Sequence, residues 1–134
     1  MAAEGEHFHG ALAVARRLGL ATERALALFF DASVQQGPQG AMRVADRLVR
    51  KLQAKGETRV HHRRLLELYA RECARPFRRQ SPPSKPYPSE HIEWRKTGSE
   101  WHAWAGQFDL YVDVLRRRIA IVKDANLRDQ VVRL

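Results

Sequence analysis

The run Ala25-Leu26-Ala27-Leu28-Phe29-Phe30 is followed by Asp31-Ala32-Ser33-Val34-Gln35-Gln36 and then by Gly37-Pro38. It constrains the fold more than any other stretch. Thr22 is positioned as an N-cap, and the segment predicts a helix from Glu23 to Gln36. Glycine accepts the left-handed conformation that ends a helix, and proline cannot continue one, so Gly37-Pro38 sets its end. Because this helix is apolar nearly all round, it must be covered on most sides and should be the central, buried one.

The neighbouring segments read as helices that could cover it. Phe8, Leu12 and Ala15 share a face over about Glu6 to Leu18, and Gly19 offers a stop. Met42, Ala45, Leu48, Val49 and Leu52 form a stripe over Gly40–Ala54. Leu65, Leu66, Leu68, Tyr69 and Cys73 do the same over about Thr58–Ala74, before Pro76. Five of the six prolines lie in Pro76–Pro88, so Gln80–Ser89 reads as an extended connector. Beyond it, Trp101, Trp104, Phe108, Val112, Leu115, Ile119 and Val122 recur at three- and four-residue steps. They predict one long helix, capped by Ser99 and running to about Lys123. The expected fold is therefore all-α, an orthogonal bundle of about five helices. Residues 1–79 form the helical core, 80–89 a Pro-rich connector, and 90–134 a Trp-containing helix packed on the same core.

At 134 residues the chain has room for one core. Its longest apolar runs fall far short of the ~20 residues that span a bilayer, so no transmembrane segment is expected. The start, Met-Ala-Ala-Glu-Gly-Glu-His, has neither a basic nor an apolar region of a secretory signal. The expectation is a cytoplasmic chain, one exported by a non-signal route, or a piece of a larger polypeptide or complex. Cys73 is the only cysteine, which rules out an internal disulfide and a cysteine-rich zinc site. Its place on an apolar face suits a small buried hydrophobe. His61-His62 and His7-x-His9 have poor spacing for one metal, since adjacent helical side chains diverge by ~100°. Neither a metal nor a cofactor is expected.

The net charge of +9 is unevenly spread. Between Gln39 and Arg79 there are 12 basic and 4 acidic residues, an excess of 8. Such a surface attracts polyanions. Arg43, Arg47, Arg50 and Arg63 are candidate polyanion contacts, and a basic helical module that binds nucleic acid or a protein partner is one reading of the chain. The bland alternative is a solvated face, because no aromatic residue interleaves Ala41–Leu68 as a stacking platform would require. Asp31, within an apolar helix, must be paired, hydrogen-bonded or neutral. An arginine from a neighbouring helix is the expected structural partner. Among the tryptophans, Trp94 lies outside the helical stripe and is expected to be the exposed one, available to stack on a sugar ring.

Phe8, Ala11, Ala15 and Leu18-Gly19-Leu20, with the run Ala25–Gly37 and the passage Gly37-Pro38-Gln39-Gly40-Ala41 into the next helix, resemble part of the lysozyme-like superfamily. The pattern is similar to the core helix of chitosanases and phage-type N-acetylmuramidases, proteins of bacteria and their phages. Arg116-Arg117-Arg118 after a Trp-rich segment is loosely similar to the ends of those enzymes. The match covers about forty residues, 8–48. It implies a partial lysozyme-like lobe and, as partner, peptidoglycan or another aminosugar polymer. Asp31 would then be a structural or cleft-floor acid, with Gln35 and Gln36 touching sugar and Trp94 a further substrate contact. In that family the catalytic glutamate lies on a helix well upstream of this motif. Here the only acids before Glu23 are Glu4 and Glu6, in a chain terminus. Glycoside hydrolysis needs two carboxylates held ~5–9.5 Å apart, so no catalytic acid is carried over. The resemblance implies a glycoside-hydrolase-like domain that binds rather than cleaves.

Overall fold

Gly37 breaks the central helix where the sequence places the break. Its backbone is non-helical, φ 77 and ψ 158, and the helical path resumes at once. The result is one long kinked element, α2 (Glu23–Ala54), in place of two separated helices. Thr22 caps it, its hydroxyl accepting from the Ala25 N–H at 3.0 Å. The computed structural model describes residues 2–84 and 91–133, with side chains in the first helix from Gly5 onward.

α1 (Ala2–Leu18) packs along α2, and α3 (His62–Ala74) closes the other side. The core comprises Ala11, Val14 and Ala15 of α1, Leu28, Phe29, Val44 and Leu48 of α2, and Leu66 and Tyr69 of α3. α1 crosses α2 at the kink. A Cβ at Gly10 would lie 2.5 Å from Ser33 Oγ and 2.9 Å from Pro38 Cβ, so only glycine fits that crossing unchanged. Tyr69 locks α3 onto the second arm of α2. Its ring meets Phe29 edge-on at 5.0 Å, and its hydroxyl donates to the Ala41 carbonyl at 2.9 Å. α3 begins at His62 rather than near Thr58; the His61 ring accepts from the Arg63 N–H at its start.

The all-α expectation is overturned in the last third of the chain. A 3-10 turn, η1 (Arg75–Phe77), leads into a four-stranded antiparallel sheet of β1 (Arg78–Arg79), β2 (Glu93–Thr97), β3 (Glu100–Ala105) and β4 (Phe108–Asp109). β3 is central and pairs with all three others. The fold is mixed α/β, with four helices and this sheet among the described residues. Ser99 caps no helix. It sits with Gly98 in the two-residue turn joining β2 to β3, and Gly106-Gln107 makes the turn from β3 to β4. Gly98 (φ 66) and Gly106 (φ 58) supply the positive φ such turns need. The helical spacing of Trp101 and Trp104 is thus a coincidence, since an odd separation in a strand sends two side chains to opposite faces. The final helix, α4 (Leu110–Lys123), starts at Asp109, whose carboxylate accepts from the Val112 N–H at 3.2 Å. Of the expected connector, residues 85–89 lie outside the described residues.

Beyond α4 the chain returns as a strap across the start of α2. Val132 N–H donates to the Ala21 carbonyl at 2.7 Å, and Arg24 N–H donates to the Arg128 carbonyl at 3.0 Å. Arg24, 1% exposed, is the anchor. Its guanidinium donates to the carbonyls of Val122 (2.9 Å), Asp124 (2.6 Å) and Leu127 (2.6 Å), and to the Asp129 carboxylate (2.9 Å). Arg63 and Arg24 together hold the Asp129 carboxyl down at about 2, from an ordinary 3.8. A depressed carboxylate pKa contributes fully above the unfolded value and is lost as pH falls through the folded one. The strap should therefore stay in place at pH 5 and loosen between about pH 4 and 2. The Val131 and Val132 amide resonances report this directly. An unchanged strap at pH 2, with the core intact, would contradict it.

Candidate functional site

The acid and amides at the end of the first arm of α2 meet α4. Arg118, fully buried, reaches all three. Its Nε donates to Asp31 Oδ2 at 2.8 Å, its Nη2 to Gln35 Oε1 at 2.8 Å, and its Nη1 to Gln36 Oε1 at 3.3 Å. Arg117 takes the other Asp31 oxygen at 2.7 Å. The planar guanidinium fork suits this several-point grip, and charge-assisted bonds of this length are strong ones. Asp31 is therefore paired by arginines of a neighbouring helix, as a buried carboxylate must be. With its side chain only 12% exposed and both oxygens occupied, it is a structural acid.

The two amides differ. Gln36 is used at both ends, since its Nε2 also donates to the Cys73 carbonyl at 3.4 Å. That bond serves a carbonyl in the last turn of α3, which lacks a helical partner. Gln35 is exposed, and Arg118 fixes only its oxygen. Its amide N–H groups are thereby turned away from the guanidinium.

Gln35 and Gln36 line a cleft of about 440 Å³ with Phe77 of η1, Ile92, and Leu110, Asp113, Val114 and Arg117 of α4. Four of these eight residues are apolar, and the polar four are two amides and one charge of each sign. That is the usual make-up of a site for a small or extended neutral ligand, and the size lies within the common ~300–1,000 Å³ range. Asp113 is the only carboxylate lining it among the described residues. Phe77 and Asp113 were invisible as site residues in the sequence, because each depends on elements the helical reading did not contain.

Trp94 does not join the cleft lining. It is buried on β2 at 9% exposure, opposite Ala103, with the Arg79 guanidinium 5.1 Å above its ring. The expected exposed sugar-stacking tryptophan is thus a packed one, because strand alternation turns it onto a covered sheet face. The four arginines singled out for polyanions also separate. Arg47 pairs with Glu72 at 3.3 Å, and Arg63 pairs with Asp129 at 2.9 Å while donating to the Val122 carbonyl at 3.1 Å. Arg43 and Arg50 are exposed.

Two further groups carry titratable chemistry, His102, which the sequence did not signal, and Cys73, which it did. His102 Nδ1 lies 2.7 Å from Asp109 Oδ2, and its ring meets Tyr111 in a tilted contact at 4.9 Å. His102 Nε2 is buried without a hydrogen-bond partner and faces Glu100 at 3.8 Å. The pair joins β3 to the cap of α4, and none of the clefts described is lined by it. Cys73 is buried, and that burial pushes its thiol up to about 12. Thiolate is the reactive form, so Cys73 in the native protein should resist a disulfide reagent at pH 8 and react promptly in denaturant. Fast labelling of the folded protein would contradict its placement.

No family model, curated protein or solved structure matches this chain. Among the described residues, no helix is long and apolar enough to cross a membrane.

Proposed function

We propose that this domain binds an aminosugar polymer of the peptidoglycan class in the cleft beside Gln35. The observation that carries the reading is the convergence of Gln35, Phe77 and Asp113 on one cleft of mixed apolar and polar lining. Each has a role that a pyranose chain can satisfy. Phe77 offers an apolar ring to the C–H face of a sugar. Asp113 accepts from hydroxyls. Gln35, with its oxygen held by Arg118, presents its amide N–H groups to an acetamido carbonyl. Arg118 and Asp31 fix the geometry of that wall without touching the ligand.

The role is binding rather than cleavage. Asp31 is neutralised by two arginines, leaving Asp113 as the one carboxylate that lines the cleft among the described residues. Hydrolysis through two carboxylates needs a second one across the scissile bond. The test is retention on insoluble purified peptidoglycan over a salt series. Retention should persist at ~0.5 M salt, where contacts between exposed charges are largely screened, and Asp113→Asn should reduce it about tenfold. Release by modest salt, with equal retention of wild type and variant, sinks the reading in favour of bulk charge attraction.

A further inference from the structure

The seam between the second arm of α2 and α3 carries a row of cations that continues through η1 into β1. α2 contributes Arg47, Lys51 and Lys55 at four-residue steps, which places them in one row along the helix. From Arg47 to Lys55 that row is roughly 12 Å long at ~1.5 Å per residue. α3 contributes Arg64 and Arg71 across the groove, and Arg75, Arg78 and Arg79 extend the line past its end. Two depressions lie along it, one of about 190 Å³ lined by Leu48, Leu52 and Leu68 among others and one of about 320 Å³ beside Pro76, and Glu72 links them by pairing with Lys51 of the first and Arg47 and Arg75 of the second.

The line is only half neutralised. Glu72 serves three of the cations: Lys51 at 2.8 Å, and Arg47 and Arg75 at 3.3 Å each. Burial alone would raise the Glu72 carboxyl, but its hydrogen bonds to Lys51, Arg47 and Arg75 outweigh that and hold it below the ordinary value. Glu67 serves Arg71 and Arg64, and Glu100 serves Arg78. Glu57 also lines the groove. Eight cations thus face four carboxylates along one track. Such a surplus in a shallow groove is the footprint of a linear polyanion whose charges repeat along its length.

The lining also selects among polyanions. No aromatic residue lines either depression among the described residues, and the two rings behind the track are covered by its own cations, Tyr111 by the Arg78 guanidinium at 5.2 Å and Trp94 by that of Arg79 at 5.1 Å. Base stacking on aromatic platforms, which anchors single-stranded nucleic acids, finds no open ring along the two depressions. We infer that the α2–α3 seam is a binding track for a linear phosphodiester polymer without stacking bases, such as a polyol phosphate chain. This inference does not rest on the glycan cleft, whose residues are all different.

The experiment measures binding of poly(glycerol phosphate) and of an oligothymidylate with the same number of phosphates, by fluorescence anisotropy competition over a salt series. Two triple variants remove equal charge. One is Lys55→Gln, Arg71→Gln and Arg75→Gln on the track. The other is Arg16→Gln, Lys96→Gln and Arg128→Gln, exposed residues away from it that make no ion pair among the described residues. Both triples replace exposed side chains, and circular dichroism melts establish that each is folded. The expected result is polyol phosphate binding that weakens at least tenfold in the track variant and less than threefold in the other. The magnitude of the salt slope should fall by about two to three, near 0.7–0.9 per lost phosphate contact. Equal weakening in both variants, no binding, or tighter binding of oligothymidylate than of the polyol phosphate would each overturn the inference.

Discussion

Replacing Arg118 with methionine is expected to destabilise the protein by about 3–5 kcal/mol, the usual cost of breaking a buried ion pair from one side. The size follows from what remains behind. Asp31 keeps Arg117 but loses the guanidinium that enters it from the protein interior. The Gln35 and Gln36 oxygens and the Asp31 carbonyl lose their donor together. A buried acceptor left unsatisfied costs ~1–3 kcal/mol; the exposed Gln35 oxygen can turn to water, but the part-buried Gln36 oxygen and Asp31 carbonyl lose a donor that is itself fully enclosed. Arg117→Met is the control. Arg117 holds the same carboxylate, but its side chain is 57% exposed. Exposed pairs contribute ~0–1 kcal/mol, so its loss should be small. Urea unfolding of the two variants separates them. Equal effects would mean that the Arg118 network is not the joint between α2 and α4.

Arg24→Met should cost a similar ~3–5 kcal/mol, by a different route. Arg24 gathers the frayed end of α4 and the strap behind it through four backbone carbonyls and one carboxylate. Without it, the carbonyls of Ile121, Val122, Asp124 and Leu127 must find water, and the strap has little else to hold it. Its remaining ties are the backbone bonds at Ala21 and Arg128 and the exposed Arg63–Asp129 pair. The variant should unfold at lower urea, and before that the strap should be cut by trypsin at Lys123 and Arg128. A variant that is destabilised but keeps a protected strap would show that Arg24 acts by packing alone. Against a typical total of ~5–15 kcal/mol, either substitution removes a large share of the stability.

Neither arginine could be recognised as a keystone from the sequence. Arg24 stands in the first turn of an amphipathic helix, where arginine is ordinarily exposed. Its acceptors are a hundred residues away, on a strap with no regular structure. Asp31 is the opposite case: an acid inside an apolar helix needs a cation, and α4 supplies it in Arg117 and Arg118. The helical core was legible because its apolar residues follow the helical period and because Thr22, Gly19, Gly37 and Gly56 punctuate it. The sheet was not. β3 carries tryptophans at a helix-like interval, and its two short partners, β1 and β4, are two residues each. The decisive local signals were Gly98-Ser99 and Gly106-Gln107, glycine-led pairs between short runs, which mark hairpin turns. These two turns set the start of α4 at Asp109, and with it the positions of Phe77 and Asp113 on the cleft.

The site inherits this division. Its α2 wall, Gln35 and Gln36, was legible because that wall is local to one helix. Its opposite wall comes from η1, Ile92 and α4, and exists only once the sheet turns the chain back. The peptidoglycan-class ligand is a proposal that rests on the expected resemblance of residues 8–48, while the cleft supplies the residues through which it can be tested.

The most direct test is a titration of the folded protein with a soluble peptidoglycan-derived N-acetylglucosamine–N-acetylmuramic acid oligosaccharide. Amide NMR is followed in wild type, Phe77→Ala and Asp113→Asn. The account predicts saturable shifts centred on Gln35, Phe77 and residues 110–117, with each substitution weakening binding about tenfold while the helical core signals stay in place. No shifts at saturating oligosaccharide, or shifts centred elsewhere and unchanged by both substitutions, would contradict it.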